Sequence, residues 1–263
     1  VIVHLSDIHF DNSEGSNELI NNLIIDLVQM KEKVGKYDIL TITGDCVDRG
    51  KVDLFKIFEE KVNAILKVCD IKKNRMLITP GNHDVSLNNV WIKHVNEKYG
   101  ENYKAINDTI EGELSAIYKE YNDFVNKYNL PPNGIGIKYI MVNGITIRVI
   151  LINSSWGTLA HNVYGELVVG DKQLEQIKNT ICEKNRKYDV TITCMHHPLD
   201  WFSYEERKKL HDFLFDTIKT DFLLHGHIHE ASYDSLFNMD SSTNIFCTGI
   251  SYNKTGEKCS RKD

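Results

Sequence analysis

Residues 39–48 read ILTITGDCVD, and this stretch decides the fold class. An apolar, β-branched run from Ile39 to Thr43 is typical of a buried strand, and Gly44-Asp45 follows it directly. Four other polar clusters stand in comparable positions along the chain. The five clusters are Asp7-Ile8-His9, Gly44-Asp45-Cys46-Val47-Asp48, Gly81-Asn82-His83-Asp84, His196-His197 and Gly226-His227-Ile228-His229. Side chains just past the carboxyl ends of several buried strands converge on one crevice, so the clusters predict a single site.

Strands and helices alternate around this stretch, which predicts an α/β fold with a largely parallel, covered sheet. The first part of the pattern comprises strands at about 1–6, 38–43 and 75–79 and helices at about 17–34 and 52–68. A hairpin follows over 137–142 and 145–153, because Asn143-Gly144 suits a tight type I′ turn. The last part comprises helices at about 172–185 and 203–219 and strands at 189–195, 221–225 and 244–249.

The segment from about 86 to 130 is polar, aromatic-rich and helical in pattern, and it ends at Pro131-Pro132-Asn133-Gly134. Two interpretations stay open. The segment is either a pair of helices packed on the body of the protein, or a cap over the active site that helps to select the substrate.

Composition is that of an ordinary globular protein, with 263 residues, 41% hydrophobic, 26% charged and a formal charge of -6. The acidic balance argues against a surface that coats nucleic acid, but not against a small nucleic-acid substrate. We expect one domain over 1–263, taken from a longer protein, since the first residue is not Met and the end is abruptly polar. Six scattered cysteines and no apolar stretch near membrane length predict a reducing, cytoplasmic location without membrane contact.

The clusters contain residues that bind metals. Asp7 and His9 are two residues apart, so on a strand they share a face, and His227 and His229 have the same spacing. Asp45 needs a partner at a buried strand end, and its two oxygens allow it to bridge two ions. Taken alone, each motif also has an interpretation without metal. The Asp-x-His spacing can arise by chance, a histidine at a strand end can be structural, and an aspartate in a loop can cap that loop.

Neighbouring residues are expected to support this set. Asn82 offers a neutral oxygen, His83 points elsewhere, and Asp84 is expected to hold the His83 ring in one tautomer. His196 is favoured as a ligand because it ends a strand, with His197 facing either the ligands or the substrate. Asp48 is expected to support the loop. Arg49 contacts a substrate phosphate or is a solvated surface residue.

Mixed oxygen and nitrogen donors without thiolate favour Mn, Fe, Zn, Ni or Co over a cysteine-rich zinc site. The set is too large for one tetrahedral ion. It suits two divalent ions about 3.5–4 Å apart, an arrangement used for in-line attack on phosphorus.

The blocks Asp-x-His, Gly-Asp-x-x-Asp, Gly-Asn-His-Asp, His and Gly-His-x-His, in this order over residues 7 to 229, resemble the calcineurin-like metallophosphoesterases. The resemblance implies a four-layer αββα sandwich of two mixed sheets. The helical insertion near 86–130 matches no subfamily pattern and leaves the exact substrate open. The resemblance implies that Asp45 bridges two divalent ions, and Mn is the favoured metal. The implied ligands are Asp7, His9, Asp45 and His229 for one ion and Asp45, Asn82, His196 and His227 for the other.

The resemblance also implies the chemistry. A hydroxide between the ions attacks phosphorus, and His83, oriented by Asp84, stabilises the transition state or protonates the leaving oxygen. The Gly-His-x-His and His-His-Pro patterns look more like the phosphodiesterase branch, although Gly44 to Gly50 is close to the block of the serine/threonine phosphatases. We therefore expect a phosphodiesterase acting on nucleotides or other small phosphodiesters. The alternatives are a nuclease domain of a larger assembly and a non-catalytic interaction module.

Overall fold

The computed structural model of the chain describes residues 1–48, 52–85, 117–155, 164–237 and 242–249. Arg49 and residues 86–116, which include most of the expected helical insertion, lie outside these ranges. The described residues contain two β-sheets and five α-helices.

The first sheet carries the two strands that lead to the Asp45 and Asn82 clusters. Its strands lie in the order β1-β2-β3 and pair in parallel, with Leu40 opposite Met76. Every residue of the second and third strands is buried, as expected for a parallel sheet covered on both faces. The elements of this half are β1 (Ile2–Leu5), α1 (Glu14–Val34), β2 (Ile39–Thr43), α2 (Val52–Cys69) and β3 (Met76–Thr79).

The second sheet has the order β4-β5-β6-β7-β9-β8. Its two outer pairs, β4/β5 and β8/β9, are antiparallel, and the inner pairings are parallel. The edge strand β8 was not expected from the sequence. The elements are β4 (Gly136–Val142), β5 (Ile145–Leu151), α4 (Asp171–Lys184), β6 (Val190–Cys194), α5 (Tyr204–His211), β7 (Phe222–His225), β8 (Ser232–Phe237) and β9 (Ser242–Cys247), with α3 (Lys119–Asn126) between the two sheets in the chain.

The two sheets pack face to face, with β3 against β5, α1 and α2 on one side and α4 against β4 on the other. Buried apolar residues from both sheets form one continuous core cluster. This arrangement confirms the expected α/β sandwich of four layers. It differs in one respect, since the strands described in the first sheet are all parallel and only the second sheet is mixed.

The described end of the expected insertion, residues 117–130, packs on the body of the protein. Tyr121 and Phe124 on α3 are buried, and the Tyr121 hydroxyl donates to the Ile78 carbonyl at 3.1 Å. The Phe124 ring lies 5.3 Å from that of Phe55 on α2. For this part of the segment, the interpretation as helix packed on the core agrees with the structure.

The helix expected over 203–219 is divided into α5 and a π-helical turn, Asp212–Thr217. Elsewhere the helix boundaries lie close to those expected from the sequence. Among the described helices, none combines the length and apolar character that a membrane crossing would need.

Candidate metal centre

The five polar clusters lie at the carboxyl ends of β1, β2, β3, β6 and β7, and the sandwich brings them together. Backbone hydrogen bonds join the first two loops, since the Asp7 N–H donates to the Gly44 carbonyl at 3.2 Å and the His9 N–H to the Asp45 carbonyl at 2.9 Å. The His227 N–H donates to Asp7 Oδ2 at 3.0 Å, which connects the second sheet to the same loops. The site therefore lies across the strand ends of both sheets.

The backbone at several of these side chains is left-handed, which few residues other than glycine adopt. The φ angles are +52° at Asp7, +46° at His9, +50° at Asp45, +73° at His227 and +60° at His229. Such conformations cost on the order of 1–3 kcal/mol each and persist where the surrounding structure enforces them. Their concentration here is the pattern found at functional sites.

Two glycines allow the loops to approach closely. A Cβ atom at Gly81 would lie 2.1 Å from Asp45 Oδ1, and one at Gly226 would lie 2.4 Å from Asp7 Oδ2 and 1.9 Å from Ser6 Oγ. Any side chain at either position would displace a carboxylate of the site. The glycines of the Gly81-Asn82 and Gly226-His227 motifs are thus explained by close contact.

A first group of potential ligands comprises Asp7, His9, His229 and Asp45. Asp7 Oδ1 lies 3.4 Å from His229 Nε2 and 4.0 Å from His9 Nε2. His9 Nε2 is also 3.7 Å from Asp45 Oδ2. These distances enclose a space of the size that a cation occupies between its ligands.

A second group surrounds Nε2 of His196. Asn82 Oδ1 and His227 Nδ1 each lie 3.2 Å from this atom, and Asp45 Oδ2 lies 3.3 Å from it. The His196 Nδ1 atom is 2.8 Å from the Thr43 carbonyl, so in the neutral ring it carries the proton and leaves Nε2 as a lone pair. Asp45 Oδ2 therefore faces both groups.

The residues present fit divalent ions. Asp7 Oδ1 and His9 Nε2 are buried and make no hydrogen bond within the described part of the chain. Buried polar atoms are normally satisfied, so two such atoms facing each other call for a partner. Carboxylate, amide and imidazole donors together suit Mn, Fe or Zn.

The pKa values in the second group also favour a cation at this position. Burial lowers the pKa of His196, but the adjacent Asp45 carboxylate outweighs this effect and raises the pKa to about 9. Burial and the charge on His196 lower the pKa of His227 to about 3. A proton on His196 thus takes the place of positive charge that a metal ion would supply.

The carboxylate beside His83 is Asp48, whose Oδ1 atom lies 3.6 Å from His83 Nδ1. Asp84, expected to orient this ring, instead accepts backbone hydrogen bonds from the N–H groups of Cys46 (2.8 Å), Val47 (3.1 Å) and Gly81 (2.9 Å). Burial and the nearby Asp45 raise the pKa of Asp84 to about 7, against the effect of these donors. Through these hydrogen bonds, the Asp84 carboxylate joins the loop that carries Asp45 to the loop that carries Gly81.

His197 is buried beside His227, with ring centroids 4.3 Å apart, and is not at the exposed rim where a substrate would contact it. Its Nδ1 atom lies 3.1 Å from the hydroxyl of Ser154. The same hydroxyl accepts the N–H groups of His196 (3.0 Å) and His197 (2.9 Å). Our sequence interpretation missed Ser154, although it lies just beyond the buried run of β5, which is the signal that identified the other clusters.

Solved structures share this fold. The chain superposes on the purple acid phosphatase PPD1 of yellow lupin (TM-score 0.56, 13% identity, 94% of this chain and 43% of that one). It also superposes on a dimetal phosphatase from Danio rerio (TM-score 0.50, 11% identity, covering 95% and 87%). A third match is the phosphopantetheinyl hydrolase of Mycobacterium tuberculosis (TM-score 0.51, 10% identity, covering 95% and 89%). At these identities the likeness concerns the fold alone.

Sequence comparison identifies the family. The chain is 27% identical over 258 residues to an uncharacterized metallophosphoesterase-like protein, YydB, of Bacillus subtilis (strain 168). The match covers 92% of this chain and 50% of YydB, so the chain spans about half the length of that relative. The family model of the calcineurin-like phosphoesterases matches residues 1–231, a range that contains every potential ligand named above. The chain belongs to the calcineurin-like phosphoesterase family.

Proposed function

We propose that this protein is a phosphodiesterase that uses two divalent ions and acts on nucleotides or other small phosphodiesters. The observation that carries the proposal is the position of Asp45 Oδ2, which is 3.7 Å from His9 Nε2 on one side and 3.3 Å from His196 Nε2 on the other. One carboxylate facing two groups of donors suits a pair of ions better than a single one. Two ions in such a site supply an activated water and neutralise phosphate oxygens.

The distances support the ligand sets that the family resemblance implies. Asp7, His9, His229 and Asp45 would hold one ion, and Asn82, His196, His227 and Asp45 would hold the other. We favour Mn because oxygen and imidazole donors are mixed here without thiolate, with Fe, Zn, Ni and Co as alternatives.

His83 is the proposed general acid. Its side chain is 26% exposed, and its ring lies 4.7 Å from that of His9, so it stands at the open side of the ligands. With Nδ1 towards Asp48, the Nε2 atom is left to give a proton to the leaving oxygen of a substrate. The Asp48 carboxylate keeps the His83 ring in the orientation that this proton transfer requires.

A diester is favoured over a monoester because the His196-His197-Pro198 and Gly226-His227-Ile228-His229 patterns resemble those of the phosphodiesterase branch of the family. The match to only half of YydB leaves room for further domains, and a nuclease within a larger assembly is the second candidate. A cytoplasmic location is part of the proposal, since Cys46 and Cys194 are buried free thiols beside the site.

The test is hydrolysis by the purified protein with Mn²⁺. We expect turnover of bis-(p-nitrophenyl) phosphate well above that of p-nitrophenyl phosphate, and loss of about 10²-fold or more in His83→Ala. His211→Ala is the matched control, because that side chain is half exposed on α5. Cyclic nucleotides, dinucleotides and single-stranded DNA in the same assay separate the small-substrate enzyme from the nuclease. Full activity in His83→Ala, or after chelation of all metal, would contradict the proposal.

A further inference from the structure

Three rings extend in a row from the second ligand group. The Trp201 ring lies against His227, with centroids 4.0 Å apart and planes at 88°. The Tyr164 ring lies against Trp201 on its other side, with centroids 5.5 Å apart and planes at 81°. Trp201 is half-buried, whereas Tyr164 is 67% exposed. The row thus leads from a proposed metal ligand to the surface.

Backbone hydrogen bonds fix the two aromatic residues relative to each other. The Trp201 carbonyl accepts the N–H groups of Gly165 and Leu167, each at 3.1 Å, and the Ser203 N–H donates to the Leu167 carbonyl at 3.0 Å. The segment that carries Tyr164 is therefore joined to the turn that follows the His196-His197 pair. The aromatic pair is already in position before any ligand binds.

Packing explains one of these aromatic residues better than the other. Trp201 contacts the core cluster and covers the His227 ring, so its burial contributes to folding. Tyr164 leaves two thirds of its surface in water and gains little from burial. An exposed aromatic ring held beside a charged site has the properties of a surface on which a planar group stacks.

We propose that Trp201 and Tyr164 form a substrate-specificity subsite that accepts a planar aromatic group, a nucleobase, of a phosphoester whose phosphate lies at the ligands. The inference rests on the proposed function for the position of the phosphate. Stacking of a base on aromatic side chains strengthens binding by about tenfold or more and depends little on which base is present. The subsite therefore selects nucleotides as a class.

Binding of two phosphates that differ only by the base tests the subsite. We compare AMP with ribose 5-phosphate by isothermal titration calorimetry on the Mn²⁺-supplemented protein. AMP is expected to bind about tenfold more tightly, as stacking of one base predicts. In Tyr164→Ala this preference should fall to about threefold or less, with the affinity for ribose 5-phosphate unchanged.

Two further variants complete the design. Tyr204→Ala removes a tyrosine that is 75% exposed on α5 and should keep the full preference for AMP. Trp201→Phe retains an aromatic ring against His227, so it should fold and bind ribose 5-phosphate normally while its preference for AMP decreases.

Binding tests the subsite and hydrolysis tests the proposed phosphodiesterase function, so each proposal can fail independently of the other. Equal affinity for AMP and ribose 5-phosphate, or a full preference in Tyr164→Ala, overturns the subsite even if diesters are hydrolysed. A preference for AMP that depends on Tyr164, in a protein that hydrolyses no phosphoester, overturns the proposed function and leaves the subsite standing. Failure to bind either phosphate overturns the subsite.

Discussion

The Oδ1 atom of Asp48 lies 3.6 Å from Nδ1 of His83, at the open side of the proposed metal ligands. A carboxylate at this distance favours one orientation and one tautomer of the ring. If His83 is the general acid, Asp48→Asn should lower kcat for bis-(p-nitrophenyl) phosphate by about tenfold or more, since Asp48 acts through the ring and not on the substrate. Bound metal, measured by elemental analysis, should not change.

Asp53→Asn is the control for this variant, because the Asp53 side chain is 85% exposed on the following helix. A large loss of metal in Asp48→Asn would instead place Asp48 among the ligands, beside His9 and His83, with which it forms a possible metal-binding group.

Asp45 should differ from every other ligand in its effect on metal content. Its Oδ2 atom faces both donor groups, so Asp45→Ala should reduce binding at both positions and abolish turnover. His9→Ala and His196→Ala each remove a donor from one group and should retain about one ion per chain. Equal metal loss in all three variants would argue against a bridging carboxylate.

The sequence predicted the position of the candidate site where a buried apolar run ends in a polar residue. Ile39 to Thr43 is buried throughout, and Asp45 lies where such a strand end would place it. Spacing was a weaker guide, because both Asp-x-His and His-x-His lie beyond the strand ends in left-handed backbone. Asp7 and His9 fall in one ligand group, whereas His227 and His229 fall in two. The signal at the strand ends is local, and it survives in the folded protein because the strand ends themselves surround the candidate site.

Contacts between loops that are distant in the chain could not be predicted from local sequence patterns. Asp84 is next to His83 in the chain, yet its carboxylate turns towards the backbone of Cys46, since three buried N–H groups there need an acceptor. The edge strand β8, Ser232–Phe237, was missed because it is largely exposed and has no continuous apolar run. Ser154 carried the right signal but is a hydroxyl residue, which is not a typical metal ligand.

Asp84→Asn should lower stability more than it lowers the rate of the folded enzyme. The change replaces one acceptor oxygen by an N–H₂ group that faces backbone donors, with an expected cost of about 3 kcal/mol. Chemical denaturation measures the free energy of unfolding, with Asp123→Asn as control, since its side chain is 64% exposed. Unchanged stability with lost turnover would restore the direct catalytic role that the sequence suggested for Asp84.

Ser154→Ala should destabilise the turn that carries His196 and His197. The hydroxyl accepts both of their N–H groups, so its two lone pairs are occupied and its hydrogen is directed to His197 Nδ1. Its loss leaves two buried donors without a partner, at a cost of about 1–3 kcal/mol. Thermal unfolding should show a clear decrease in Tm, larger than in Ser155→Ala, whose hydroxyl donates only to the Pro80 carbonyl at 3.2 Å. Equal Tm values in the two variants would contradict this assignment.

Metal affinity should increase with pH over a window that His196 defines. In the metal-free protein the Asp45 carboxylate, acting against burial, raises the pKa of His196 from 6.5 to about 9. Its contribution to the free energy of unfolding is therefore complete below about pH 6.5 and is lost as the pH rises through about 9. An ion at Nε2 must displace this proton, so affinity changes in the opposite direction, by about tenfold per pH unit for one proton.

Calorimetric titration with Mn²⁺ under nitrogen, at pH values between 6.5 and 8.5 and in buffers of different ionisation enthalpy, measures both the affinity and the protons released. His211→Ala should keep the slope, because that ring lies on the surface. His196→Asn should bind the second ion weakly and with little dependence on pH. Affinity of the unsubstituted protein that stays constant across the window would show that His196 carries no proton when metal arrives, and that Asp45 alone does not hold it charged.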